Sequence, residues 1–461
     1  MEEDKGGNIP LSNLVGERWW YELVKVCRRW RYLILGSASY LGLCLVCSPG
    51  TPVAEMLAHS PPFPLIISHG DSDHALTPED ERGIMLALEH RDRVRCICLI
   101  MPAPSLQRVI NAMDDQFPIL EYLHISPPTR HNAHLALPAT FGAPQLNLIL
   151  LNHFPSPIES PLLTTAANLV WLVLRWIQPS TSPYPSDLLQ ALSLLPRLQN
   201  LIISFSSPVP NRDIERHMLH TPNITHTTLP NLSFFDFGGV SAYLEALLSH
   251  INTPLLKRLS VTFFNQLSFS VPHLGQFVTI TENIRPRRVN FLFYPKAVVV
   301  FMYLSASAPL PSLYIRVDCD HLDWQVSSMT QILNVLSPLF SSVVDLTLDY
   351  RSHTLPSDWH DQADRTQWRE LLGSFKNVQT LRVHDGLVEE VSRCLSLDGE
   401  SPSEILPELK RLVCPMGSRG NETLSRFVHD REVAGLPIDL TEDVFRSSYR
   451  FRTAAGGDYV S

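Results

Sequence analysis

Long apolar runs, surplus basic charge and the usual catalytic motifs are all missing from this chain, and each absence removes a class of function. The longest uncharged stretch, Tyr32 to Ser48, is rich in Gly and Ser. It falls short of the ~20 residues that a membrane-spanning helix needs, so no membrane partner is expected. A formal net charge of −9 over 461 residues offers no basic field of the kind nucleic acid selects, so no nucleic-acid partner is expected either. The opening MEEDKGGNIP is acidic and polar and has no secretory n-region or h-region. The eight cysteines, Cys27, Cys44, Cys47, Cys96, Cys98, Cys319, Cys394 and Cys414, are therefore expected as free thiols in a cytoplasmic or nuclear protein. Glycine is scarce, 20 residues against 37 prolines, which fits many short connections between strands. No G-x-S-x-G elbow, P-loop, H-E-x-x-H or G-x-G-x-x-G stands in a usable context. Catalytic residues, cofactor and metal are all expected to be absent.

What is present is a folded composition, 44% hydrophobic and 18% charged, organised by a recurring phrase. A leucine or similar residue is followed after two residues by a second apolar side chain, and after one more by a third. Leu120, Leu123 and Ile125 make one copy, Leu169, Leu172 and Leu174 another, and Leu198, Leu201 and Ile203 a third. Leu256–Leu259–Val261, Val343–Leu346–Leu348, Val378–Leu381–Val383 and Leu409–Leu412–Cys414 continue the series. The middle residues run Ile97, Leu123, Ile149, Leu172, Leu201, Phe235, Leu259, Leu292, Leu313, Leu346, Leu381 and Leu412. Their spacing of roughly 20–35 residues is that of an irregular leucine-rich-repeat solenoid, an α/β fold in which each turn supplies one strand and one return element. Each repeat needs only its neighbours to bury its apolar face.

The longer steps leave room for helices, and residues 186–195, 240–251, 329–340 and 365–375 carry helical spacing. Another is marked by Thr77 as N-cap, Pro78 at the first helical position and Asp80 facing the orphan amides. Prolines in Phe117-Pro118, Leu195-Pro196, Leu229-Pro230 and Leu406-Pro407 mark the turn from each helix into the next strand, because the residue before proline is biased to extended backbone. Beyond the last phrase, residues 422–440 read as a terminal helix and strand that cap the open end.

Three groups invite a chemical reading. His69, Asp71, Asp73 and His74 form an HGDSDH cluster, which reads more economically as a polar loop before a capped helix than as a metal site needing convergent ligands. His217 and His220 lack a third ligand at metal spacing, with His226 too far along. Cys96 and Cys98 have one residue between them, not two, and period two puts both on one face of a strand. The acid-rich segment 357–370, with His360, reads as an exposed loop and helix start.

Near the N-terminus, WWYELVKVCRRWRYLIL (19–35) reads as one helix on which Leu23, Val26, Cys27 and Trp30 share a face. With the following LGLCLVCSPGTPVAEML it resembles the second half of an F-box, as found in basidiomycete F-box/leucine-rich-repeat proteins. The core Val26-Cys27-Arg28-Arg29-Trp30 is its specific part. TPLLKRLSVTFFNQLSF (253–269) and FVHDREVAGLPIDL (427–440) are similar to phrases of the same group. An F-box opens on an L-P-x-E-[IL]-L helix, a pattern that IPLSNLVGE (9–17) does not carry. The resemblance implies the substrate-recognition subunit of a Skp–cullin–F-box ubiquitin ligase, without chemistry of its own. Leu23, Val26, Cys27, Trp30 and Leu33 would meet the Skp-type adaptor, and the solenoid would hold a protein target. A repeat scaffold with a vestigial F-box is the alternative. The expected organisation is a disordered or truncated 1–18, an F-box-like remnant at 19–50, a solenoid with its cap at 51–446 and a flexible tail at 447–461.

Overall fold

The computed structural model describes residues 19–37, 41–70, 76–127, 135–154, 157–158, 160–178, 183–206, 226–264, 266, 268–281, 284–305, 307–351, 365–395, 405–415 and 422–443. The segments 1–18 and 447–461, and the residues Asp71, Asp73, His74, His217, His220 and His360, lie outside them. Two compact units divide the chain: Met1–Trp171 together with Arg446–Ser461, and Leu172–Phe445.

The first unit opens with α1 (Trp19–Val26) and α2 (Arg28–Gly36). Five strands follow: β1 (Leu45–Cys47), β2 (Leu65–His69), β3 (Val94–Ile100), β4 (Tyr122–Ser126) and β5 (Leu148–Asn152). Between them run α3 (Val53–His59), α4 (Pro78–Leu88) and α5 (Ala103–Asn111), and α6 (Pro161–Thr165) comes after β5. All four ladders are parallel and lie in chain order. Parallel neighbours need a crossover between them, and α3, α4 and α5 supply it from β1 to β4. The register aligns Cys47, Ile67, Ile97, Leu123 and Ile149 across the five strands, and this row is wholly buried. The helix side is fixed by His69, in register with the buried Leu99 and close enough to Asp80 of α4 to act on its charge.

The strand β6 (Trp171–Ile177) begins in the first unit, at Trp171, and continues in the second, whose further strands are β7 (Asn200–Phe205), β9 (Phe234–Gly239), β11 (Arg258–Phe263), β12 (Arg288–Tyr294), β13 (Ala297–Tyr303), β14 (Leu313–Asp318), β15 (Asp345–Tyr350), β16 (Thr380–Val383), β17 (Arg411–Pro415) and β18 (Asp439–Asp443). A separate parallel pair joins β8 (Thr227–Thr228) to β10 (Ile251–Asn252). The helices are α7 (Pro185–Ser193), α8 (Ser241–Leu248), α9 (Pro272–Ile280), α10 (Leu322–Leu336), α11 (Arg365–Gly373), α12 (Val388–Leu395) and α13 (Glu422–Val433). Leu201, Phe235, Leu259 and Leu313 stand in one register, and Val289, Leu346, Leu381 and Leu412 in its continuation. The same face carries Phe237 and Phe291 in the next row and Phe293 in the one beyond, and it meets the helix layer: Phe237 lies 6.1 Å from Tyr243 of α8, and Phe293 lies 5.6 Å from Trp368 of α11. The strand–helix repeat read from the phrases is thus present in both units, a leucine-rich-repeat-like α/β solenoid architecture, and the terminal helix and strand stand at α13 and β18.

The structure departs from the sequence reading in three places. The order β11-β14-β13-β12-β15 contains a reversed strand: β13 is antiparallel to both β14 and β12. Its sequence AVVVFMY is buried at every position, so an unbroken apolar run fills a strand covered on both faces. With β13 inserted, the repeat residue of β12 is Val289, in register with Leu346, while Leu292 pairs with Asp349 on the opposite face. The proposed phrase at Leu292 was therefore off by an odd number of residues, which moves a side chain to the other face. The third departure is at the N-terminus, where residues 19–35 form two helices. Cys27 is extended (φ −162°, ψ 169°), its thiol accepts from the Trp30 amide at 3.5 Å, and Arg31 Nε donates to the Val24 carbonyl at 3.1 Å. A guanidinium thus takes a carbonyl from the last turn of α1, satisfying one of the four acceptors a helix end leaves open.

Candidate interaction surfaces

The break at Cys27 separates the residues expected on one helix face. Leu23 is half-buried and Cys27 exposed, while Val26, Trp30 and Leu33 are 64%, 47% and 61% exposed. Tyr32 is more exposed still. Lys25, Arg28, Arg29 and Arg31 are exposed among them. Among the described side chains, two are buried and hold the pair to its unit: Trp20, whose ring meets Phe63 edge-on at 5.6 Å, and Ile34. Large apolar side chains on a small helix pair, interleaved with cations, form a surface that water does not favour and a partner could cover.

A second surface is the face of the second unit's strands that looks away from the helices. Asp349, almost fully buried, holds Arg351 Nε at 2.6 Å and His384 Nδ1 at 3.0 Å. Burial pushes the His384 imidazole below its ordinary pKa; Arg351 and Arg382 push the same way and Asp349 opposes them. Arg316 pairs with Asp318 at 2.7 Å. Arg288 stacks over Tyr303 at 4.3 Å, and Arg258 over Phe234 at 5.0 Å. Burial raises the Asp236 carboxyl, with a Ser260 hydroxyl hydrogen bond and Arg175 acting against the rise. Arginine and tyrosine over a layered sheet are the residue types enriched at protein interfaces. These side chains escaped the sequence reading because the repeating phrase is defined by its apolar positions alone. Ser260, Tyr314, Thr347 and Arg382 occupy the slots between paired apolar residues, so a strict period-two reading of each phrase would have placed them together.

On the first unit the same face is largely apolar among the described residues, and a thiol–imidazole pair on it is inert. Cys98 Sγ lies 3.5 Å from His124 Nδ1, but burial pushes the thiol up to about 12, and Cys96 is raised by burial further still. A thiol held protonated is neither a nucleophile nor a metal ligand at neutral pH. The period-two reading of Cys96 and Cys98 as one-face neighbours is seen in the shared cluster they form with Val46, Ile66, Tyr122 and Leu148. His69 is buried with both ring nitrogens lacking a hydrogen-bond partner. Among the described residues no group of three or more His, Cys, Asp or Glu is placed to hold a metal ion, and no helix is long and apolar enough to cross a membrane.

No family model matches the chain, and no curated protein matches it. Among solved structures the leucine-rich-repeat-containing protein LegL7 from Legionella pneumophila is similar. It is 13% identical, with a TM-score of 0.27, over 85% of this chain and 98% of that one. At those values the likeness adds nothing to the residue ladders described above, which carry the repeat assignment themselves.

Proposed function

We propose that the chain is a non-catalytic protein-interaction module, the substrate-recognition subunit of a Skp–cullin–F-box ubiquitin ligase. In this reading α1 and α2 dock the Skp-type adaptor, and the polar strand face around Asp349, Arg351, Arg316 and His384 receives the target protein. The observation that carries it is the helix pair, which turns Val26, Trp30 and Leu33 outward among four cations, while among its described side chains only Trp20 and Ile34 are buried. A fold element that leaves most of its large apolar side chains unburied gains little for its own stability, so a bound partner is the economical account of them. The F-box resemblance of the same residues supports the adaptor in that role, and such a subunit works in the cytoplasm or nucleus.

The test is a binding titration of the full chain against the Skp-type adaptor, beside a Val26→Ala, Trp30→Ala double variant. Both positions are exposed, so the fold should be unchanged by circular dichroism. Loss of a buried aromatic anchor costs about 2 kcal/mol or more at an interface, which predicts at least about a 30-fold weaker Kd. Absence of binding by the well-folded parent chain would favour the second reading, a repeat scaffold with a vestigial F-box, which the missing L-P-x-E pattern in residues 9–17 suggests.

A further inference from the structure

Arginine is spread along the strand face of the second unit that looks away from the helices, and most of it is answered there by a carboxylate. Arg316 pairs with Asp318, Arg351 with Asp349, and Arg411 lies 3.8 Å from Asp439. Arg175 acts on the buried Asp236 carboxyl, and Arg288 stands in register beside Asp345. Two arginines remain. Among the described residues, Arg258 and Arg382 have no carboxylate within ion-pair distance, and both are partly exposed. Arg258 is mounted over the Phe234 ring at 5.0 Å, which steadies its guanidinium. Arg382 lies close enough to His384 to disfavour its charge, and the Asp349 oxygens are held by His384 and Arg351. On a chain of net charge −9, these two cations are left for an anion from outside.

The register fixes how they are placed. Arg258 is on β11 and Arg382 on β16, and the ladder runs β11-β14-β13-β12-β15-β16. Five steps at ~4.8 Å put them about 24 Å apart across the strands. Level with Arg382 stand Thr347, Asn290, Phe301, Tyr314 and Ser260, one per strand and all uncharged. Phe301 and Tyr314 meet edge-on at 5.2 Å, so the middle of the row has an aromatic body. We propose that this row seats an extended acidic segment of the target protein, one carboxylate on Arg258, a second on Arg382 and uncharged residues between. The guanidinium fork matches a carboxylate in two parallel hydrogen bonds. An extended chain advances ~3.4 Å per residue, which sets the two carboxylates about seven residues apart. The assignment deepens the target-binding half of the proposed function and rests on it, and it takes nothing from α1 or α2.

The experiment is fluorescence anisotropy of the full chain against a dye-labelled peptide with glutamate at its first and eighth positions and Gly, Ser and Leu between. Saturable binding is expected, weakened about tenfold by Arg258→Gln and about tenfold by Arg382→Gln, as a charge-assisted pair is lost each time. The same peptide with both glutamates replaced by glutamine leaves the protein untouched and should bind about a hundredfold more weakly, so the test survives a variant that misfolds by circular dichroism. Equal binding of the two peptides, indifference to both arginine variants, or no saturable binding at all would overturn the assignment. Binding confined to a phosphoserine version of the peptide would overturn the choice of carboxylate. The Val26→Ala, Trp30→Ala variant should bind the peptide as the parent does, so a failure of adaptor docking and a failure of this assignment are read separately.

Discussion

A glutamate on a helix face that packs into a core costs desolvation energy unless its oxygens are used, and Glu245 of α8 uses both. Oε2 accepts from the His273 amide at 2.7 Å and Oε1 from the Leu274 amide at 2.8 Å, so one carboxylate satisfies the first turn of the next helix, α9. Removing it orphans two amides, and Glu245→Ala should cost about 2–3 kcal/mol in urea denaturation; a loss under about 0.5 kcal/mol would mean that water replaces it. The Asp349 centre makes a second prediction. His384 carries a lowered pKa when folded, chiefly through burial, against about 6.5 when unfolded. The unfolded chain therefore binds the extra proton first. The contribution of His384 is fully present above its unfolded pKa of about 6.5 and is lost as the pH falls from there through its lower folded value. Urea midpoints from pH 8 to pH 5, compared with those of His384→Gln, should converge or cross as the pH drops. A constant difference across the range would rule the linkage out. Neither Glu245 nor His384 was legible beforehand, because each acts through a partner more than 25 residues away in sequence. The buried repeat leucines were legible, because each announces itself through spacing alone.

Elements whose signals are local were read correctly, and those whose signals depend on neighbours were not. The first turn of α4 is written in Thr77-Pro78-Glu79-Asp80. The Thr77 hydroxyl accepts from the Asp80 amide at 3.1 Å, and Asp80 Oδ2 accepts in return from the Thr77 amide at 3.1 Å. Burial of Asp80 works to raise its pKa, but hydrogen bonds from the Thr77 side chain and the Gly50 and Thr77 amides leave it lowered. Thr77→Ala should remove about 1 kcal/mol, read as a shift of the urea midpoint. At α1 and α2, apolar spacing continues unbroken through Cys27, so periodicity predicted one helix. The break depends on where Arg31 finds an acceptor, and spacing does not encode that. At β13 the apolar run was visible, but its direction was not, since a strand's partners are set by chain reversal after Tyr294. The reversal is secured by Gln325 of α10, wholly buried, whose amide donates to the Tyr294 carbonyl at 2.8 Å and the Cys319 carbonyl at 2.9 Å. Val300 pairs with Phe291 on one side and Ile315 on the other. Val300→Pro should therefore remove a ladder hydrogen bond in a central strand, at about 3 kcal/mol or more. The expected result is early proteolysis within residues 288–318; wild-type resistance there would argue against the reversed strand.

Over the whole molecule, stability is shared between neighbours, so an element's rigidity follows from how many sides it is covered on. Interior strands such as β4, between β3 and β5, and β14, between β11 and β13, are covered on both edges. The pair α1 and α2 is tied down through Trp20 and Ile34 and presents Val26, Trp30, Tyr32 and Leu33 outward. Native-state hydrogen exchange should then rank the chain. Amides of β4 and β14 should open only with their units, while those of residues 22–35 exchange fastest among the described helices. If the outward residues are an adaptor surface, saturating Skp-type adaptor should slow exchange at residues 22–35 by about the factor the binding free energy allows, RT ln(1 + [L]/Kd), and leave β14 unchanged. That pattern separates a docking element from a merely loose one. A loose element would exchange fast with or without adaptor, and a misassigned surface would show its slowing elsewhere, on the Arg316–Asp349–His384 face or on neither.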